Sequence, residues 1–235
     1  MMKNTLLSFC AISIVFFAAS CSKKSSPKPK PTPPATAQVL FFNGCPGAGS
    51  IMASVNDTVH SGDSSIAFIA TTGYQGFTPS SAAPVAFILP STGITLASAT
   101  IGLTVNNNYS VYAGGIITSP ALVWTSDDLS APSSGMTKIR FVNLSPDTLN
   151  ESLYLSSGGT TTTIDSNISF KGTTSFVQVA GGTYKVVAQD PKNLGSAVTL
   201  NSETFASGGI YTIILLGTQS GSGSSALGLS IIANK

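Results

Sequence analysis

Between residues 137 and 235, apolar and polar positions alternate or gather into short blocks. Each block starts eight to seventeen residues after the last, and the blocks are set apart by Gly, Pro, Asn, Asp or Ser. The blocks are "KIRFVNL", "ESLYLSS", "TTIDSNISF", "SFVQV", "TYKVVAQ", "AVTLNSETF", "IYTIILL" and "LGLSII". A two-residue period, or a short continuous run rich in β-branched residues, predicts a strand. In "TYKVVAQ" the period puts Tyr184, Val186 and Ala188 on one face and Lys185, Val187 and Gln189 on the other. The glycines of "AGGT" at Ala180 and "SGGI" at Ser207 suit tight hairpins. The unbroken apolar run "YTIILL" predicts burial on both faces. Seven or eight short strands in about a hundred residues predict an antiparallel immunoglobulin-like β-sandwich.

The same plan occurs twice. "AQVLFFNGCPG" from Ala37 overlays "TKIRFVNLSPD" from Thr137 at an offset of 100, pairing Phe41 with Phe141, Asn43 with Asn143 and Pro46 with Pro146. Gly73 and Phe77 then align with Gly172 and Phe176 at an offset of 99, and Leu103 and Tyr109 with Phe205 and Tyr211 at 102. A spacing that barely drifts over a hundred residues argues for two copies of one domain. The expected modules are residues 37–128 and 137–235. The polar stretch "SDDLSAPSSGM", from Ser126 to Met136, separates them.

"IRFVNLSPD", "FVQVAGGTYKVVA" and "FASGGIYTIILLG" in the second copy resemble the bacterial secreted domains grouped as domain of unknown function 4397. The resemblance runs well over Thr137 to Lys235 and more loosely over Ala37 to Asp128, where "SSAAPV" replaces "VAGGTY". It implies an exported β-sandwich, often tethered to the envelope, and brings no activity or catalytic residues with it.

The amino terminus predicts an address. Lys3 charges a short n-region, and the apolar run from Leu6 to Ala19 is shorter than the roughly 20 residues of a membrane-spanning helix. Ala18, Ala19 and Ser20 then lead into Cys21. This resembles a bacterial lipoprotein lipobox, with Ala18 where the commonest pattern has Leu. The resemblance implies cleavage before Cys21, a diacylglycerol on its thiol and acylation of the new terminus. Several chains, at about 0.8 kcal/mol per buried methylene, exceed the marginal hold of one. Residues 1–20 are thus expected to be a signal peptide. Residues 21–36, with Lys23, Lys24, Lys28 and Lys30 among five prolines, are expected to form an extended tether. Ser22, where inner-membrane retention would place Asp, favours the outer membrane. No acidic run follows the cysteine, so both a periplasmic and a surface-facing position stay open.

Charge and cysteine count narrow the function. From Ala37 onward six cations face nine acids, a net charge of −3, with no basic patch and no interleaved aromatics, which disfavours a nucleic-acid partner. Once Cys10 leaves with the signal and Cys21 is acylated, Cys45 stands alone and no intramolecular disulfide can form. Its counterpart is Ser145, so Cys45 reads as a half-buried structural thiol. His60 is the sole histidine, and in "VHSGDS" it reads as an exposed loop residue. It leaves no Ser/His/Asp triad to build, and no catalytic residue, metal site or cofactor is expected. Asp127 and Asp128, with Asp57 and Asp63 elsewhere, lack a calcium-loop spacing and read as solvated acids at the junction. Asn43 and Asn143 are expected to end their strands through Asx turns.

Two aromatics are the candidate ligand-binding residues. Tyr74 in "TTGYQGFTPSSAAP", set against the plain Thr173, reads as a loop aromatic able to stack on a sugar ring or anchor a protein. Trp124 in "ALVWT" reads as packing near the junction. The sequence thus predicts a non-enzymatic, lipid-anchored protein of the outer membrane. It serves as a binding, adhesion or scaffold element for a glycan or an envelope protein; alternatively it is a structural subunit of a fimbria-like or outer-membrane assembly, or a glycan-binding accessory lipoprotein.

Overall fold

Strand β1 (Ala37–Asn43) shows why these apolar blocks have so few polar interruptions. Val39 and Phe41 on one face enter one core, while Leu40 and Phe42 on the other enter a second. A strand covered on both sides is apolar throughout instead of alternating. The computed structural model describes Ala35–Lys235, which forms one compact unit; the signal segment, Cys21 and the tether as far as Pro34 lie outside the described residues.

The first half continues with β2 (Met52–Val55), β3 (Thr71–Phe77), β4 (Ser80–Ile88), β5 (Thr95–Leu103), β6 (Asn108–Ile116) and β7 (Ser119–Asp127). They form two sheets, ordered β3-β1-β6-β7 and β2-β4-β5. The second half holds β8 (Met136–Asn143), β9 (Glu151–Ser157), β10 (Thr160–Ile168), β11 (Val177–Ala180), β12 (Gly182–Asp190), β13 (Asn193–Phe205), β14 (Ile210–Leu216) and β15 (Gly228–Ala233). Its sheets run β11-β8-β14-β15 and β10-β9-β12-β13, the same order with β10 added at one edge. The chain is all-β, two immunoglobulin-like sandwiches in tandem.

The sheets are not antiparallel throughout. β1 pairs parallel with β6, and β8 with β14. Parallel neighbours need a long crossover, and here the strands between them supply it by passing through the opposite sheet.

The hydrogen-bond register corrects one part of the internal alignment. Phe41 N–H donates to Thr72 Oγ1 at 3.1 Å and Phe141 N–H to Thr174 Oγ1 at 2.9 Å, so Thr72 corresponds to Thr174. Val39 pairs with Gln75 and Ile139 with Val177, which gives the same offset. Tyr74 therefore corresponds to Phe176, not Thr173, and Phe77 to Val179. The second copy builds β10 where the first has only a 3-10 turn over Ser61–Asp63, and the added residues displace the later positions.

Each sandwich has its own core, around Phe41, Phe77 and Phe87 in the first and Phe141, Leu155 and Phe205 in the second. A third core joins them. Leu40, Phe42, Tyr112 and Val123 of one sheet face Val142, Leu144, Ile214 and Ile232 of the other. β14 accordingly buries both its faces, with Ile213 and Leu215 in one core and Ile214 and Leu216 in the next. Leu144 settles over Gly44 and Gly114, and its carbonyl accepts the Gly115 N–H at 3.0 Å.

Candidate functional site

Where the third core ends, the seam between the sandwiches turns polar. β7 of the first half closes on Asp127, a buried residue level with Asn108 of β6. β8 of the second half carries Arg140 on the face that in β1 holds Leu40. Arg140 Nη1 lies 2.5 Å from Asp127 Oδ1, and both side chains are all but withdrawn from solvent. The rest of the guanidinium is bonded too: Nη2 donates to the Tyr112 hydroxyl at 2.6 Å, Nε to Thr212 Oγ1 at 2.9 Å, and Nη1 also to Thr125 Oγ1. Asp127 Oδ2 accepts from the Tyr74 hydroxyl at 2.6 Å and from Ser110 at 2.7 Å. Asn234 Nδ2 donates to the Tyr74 hydroxyl at 3.0 Å, and Thr212 donates to Asn234 Oδ1 at 2.7 Å. Every charge in the cluster is met, as burial of charge requires.

Beside this cluster a groove of about 390 Å³ opens between β7 and the segment leading into β11. Trp124 and Phe176 line it with the hydroxyl-bearing residues Thr125, Ser126, Thr173 and Ser175. Trp124 is 42% exposed and is the one aromatic among the exposed large apolar residues described. Its indole leans on Tyr109, with ring centroids 6.3 Å apart. The Arg140 guanidinium forms part of the groove and lies 4.5 Å from the centre of the Phe176 ring, a cation–π contact that fixes the ring. Two further grooves, of about 480 and 450 Å³, have no aromatic lining.

Tyr74 is a strand residue, not a loop one. It lies in β3 opposite Leu40, half-buried against the shared core, with its hydroxyl held by Asp127 and Asn234. Burial, reinforced by the Asp127 charge, raises its pKa well above the usual phenol value. Asp127 is no solvated acid, because Arg140 occupies the place a bound cation would take. Asp128 is exposed and pairs with Lys138 at 2.7 Å; hydrogen bonds from Lys138 and Ser130 lower its pKa. His60 is half-buried instead of exposed, its ring 4.3 Å from that of Phe77. Cys45 is wholly buried, and burial pushes its thiol up to about 11. Asn43 Oδ1 accepts the Cys45 N–H at 3.2 Å and Asn143 Oδ1 the Ser145 N–H at 2.9 Å, so both turns are closed by an asparagine side chain. The candidate Cys21 lies outside the described residues. Sequence reasoning missed Arg140 and Phe176, although an arginine inside the apolar block "KIRFVNL" was a visible signal.

The family model described as Domain of unknown function (DUF4397) matches residues 37–154, the whole first half and the opening of the second. No match was found among curated proteins. Among solved structures the chain is similar to a family 26 carbohydrate-binding module of Eubacterium rectale Amy13K in complex with maltoheptaose. The identity is 8%, with 83% of this chain and 96% of that one covered, at a TM-score of 0.28. It is also similar to a Bacteroides uniformis protein with a provisional cell-adhesion name, at 12% identity, with 85% and 99% covered and a TM-score of 0.26. Likeness at this level assigns no ligand.

Proposed function

The chain belongs to the DUF4397 family, and we propose that it is a non-enzymatic binding protein of the cell envelope whose ligand lies in the Trp124–Phe176 groove. The observation that carries this reading is a 42% exposed tryptophan standing at a groove whose other walls are a second aromatic, five hydroxyl-bearing residues, and the paired charges of Arg140 and Asp128. Large aromatics left in water at a concave surface mark recognition sites. Arg140 is paired with Asp127 and the lining Asp128 with Lys138, so the groove offers stacking faces, hydroxyls and charges that already have partners, not a free cation. That chemistry suits a neutral, hydroxyl-rich ligand, a glycan before an acidic one. Cys21, lipidated and followed by its Lys/Pro tether, would hold the module at the outer membrane.

Retention on neutral polysaccharides, with wild type beside Trp124→Ala and Phe176→Ala, tests this. Loss of retention in variants that melt like wild type supports it; unchanged retention removes it. Lipidation is tested separately by metabolic labelling with a radioactive fatty acid, which Cys21→Ser should abolish.

A second reading, an assembly subunit, rests on β13. This 13-residue strand ends its sheet, pairs with no further strand among the described residues, and carries Glu203 as its only charge. A long edge with little charge is a template for strand addition. Oligomers that dissociate when Thr199 or Asn201 is replaced by Pro would favour it.

A further inference from the structure

The two sandwiches differ at one buried end. Nδ2 of Asn43 and Nδ2 of Asn143 each donate at 2.9 Å, to the carbonyls of Ile66 and Ile168 respectively. Ile66 bridges to Ile51, and Ile168 pairs with Glu151, so Ile51 and Glu151 are counterparts. Ala53 pairs with Phe87 and Leu153 with Ala188, so two residues further along, Leu89 and Asp190 are counterparts as well. The first sandwich packs Ile51 and Leu89 into its core. The second places a carboxylate at both positions.

Glu151 is 1% exposed, and neither of its oxygens has a hydrogen-bond partner. The register that pairs Gln189 with Ser152 carries on to set Asp190, half-buried at the end of β12, opposite Glu151 on the neighbouring strand. Residues so opposed have Cβ atoms about 4.5–5.5 Å apart. Asp190 Oδ1 accepts the Lys192 N–H at 2.8 Å, and neither carboxylate belongs to an ion pair among the described residues. Burial, and then the Asp190 charge, push the Glu151 carboxyl up to about 7. What this end lacks is positive charge, since a buried carboxylate without a donor, set beside a second carboxylate, is unfavourable.

We infer that Glu151 and Asp190 form a binding site for a hard divalent cation, calcium by preference. Calcium takes six to eight oxygens at about 2.3–2.6 Å, accepts both oxygens of one carboxylate, and completes its shell with carbonyls and water. Among the described residues no third Asp, Glu, His or Cys joins the pair, which leaves zinc and copper without their nitrogen and sulfur ligands. Two carboxylates suit a modest affinity, on the order of 10⁻⁴–10⁻³ M.

Titration calorimetry of the purified chain with calcium chloride at neutral pH, beside melting curves in calcium and in chelator, tests the site. One ion per chain and a higher midpoint in calcium are expected. Glu151→Gln should weaken binding by more than about tenfold. Glu151→Ile with Asp190→Leu restores the residues of the first sandwich, so the double variant should fold and melt alike with and without calcium. No binding by wild type up to about 10 mM, well above the affinity of such sites, would overturn the inference. So would undiminished binding by the folded double variant.

Discussion

Arg140 of the second sandwich and Asp127 of the first meet at 2.5 Å in a seam from which water is nearly excluded. Their counterparts in the opposite copies are Leu40 and Asn234, because Asn108 pairs with Asp127 as Ile210 does with Asn234. The seam is thus pseudo-symmetric in backbone and asymmetric in charge. Removing one partner strands the other, so Arg140→Leu should cost about 3–5 kcal/mol. Arg140→Leu combined with Asp127→Asn imports the neutral counterparts and should regain most of that loss. Chemical denaturation of the two single variants and the double variant reads the coupling directly.

Tyr74 tests the same cluster from its edge. Its hydroxyl donates to Asp127 and accepts from Asn234, whereas its counterpart Phe176 has no hydroxyl. Tyr74→Phe leaves Asp127 its bonds to Arg140 and Ser110, so a loss of about 1–2 kcal/mol is expected. Ligand retention should be unchanged, since the groove is lined from the Phe176 flank. Denaturant midpoints and a retention assay on the same preparation separate the two effects.

The contact between the sandwiches rests on small residues under a large one. A Cβ on Gly114 would lie 3.0 Å from Leu144 Cδ2 and 3.1 Å from Leu144 Cβ. Gly114→Ala should therefore destabilise by about 1–3 kcal/mol through overpacking. Leu144→Ala should cost about 2–5 kcal/mol through the cavity it leaves. The double variant should lose less than the sum of the two, and thermal melts of all three check it.

The strands were legible because their burial is regular: Val186 and Ala188 face the core and the exposed Lys185 does not. The offset near β3 was not. Gly73 and Phe77 happen to match Gly172 and Phe176 in type, and only the bonds to Thr72 and Thr174 show that the true register differs. "TTGYQGF" reads as a loop around Tyr74 because its glycines suggest turns, whereas Gly73 adopts φ 72° inside β3. The shared core was hidden in β1 for a related reason. "VLFFN" reads as one apolar run, and sequence alone does not say whether its second face meets the same sandwich or another. The Trp124–Phe176 groove joins residues 52 positions apart in different copies, which no local period reveals.

Cys45 should behave as a packed side chain and not as a reagent. Its thiol is wholly buried with its pKa pushed up to about 11, and Ser145 fills the same place in the second copy. The thiolate, which is the reactive form, is therefore scarce at neutral pH. Modification by a thiol reagent should be slow in native buffer and prompt in denaturant. Cys45→Ser should fold at a cost of about 1–3 kcal/mol, because the Ser145 hydroxyl is held by Asp147 whereas Gly47 stands at that place in the first copy.

Stability should depend on pH in an uncommon direction. Burial raises the Asp63 carboxyl from 3.8 to about 6, an effect that His60 partly offsets, and raises Glu151 from 4.5 to about 7. Both folded-state values lie above the unfolded ones, so the native state binds more protons and gains stability at low pH. That contribution is complete below about pH 4 and is lost as pH rises through 6 and 7. In chelator, the denaturant midpoint should therefore fall between pH 5 and 8. Asp63→Asn and Glu151→Gln should each flatten part of the slope, and their combination most of it. Calcium should lift the midpoint at the alkaline end, where Glu151 is ionised, and leave the acid end unchanged. A midpoint that rises through this window in chelator, or a slope untouched by both substitutions, would show that neither carboxyl is held out of water as the structure places it.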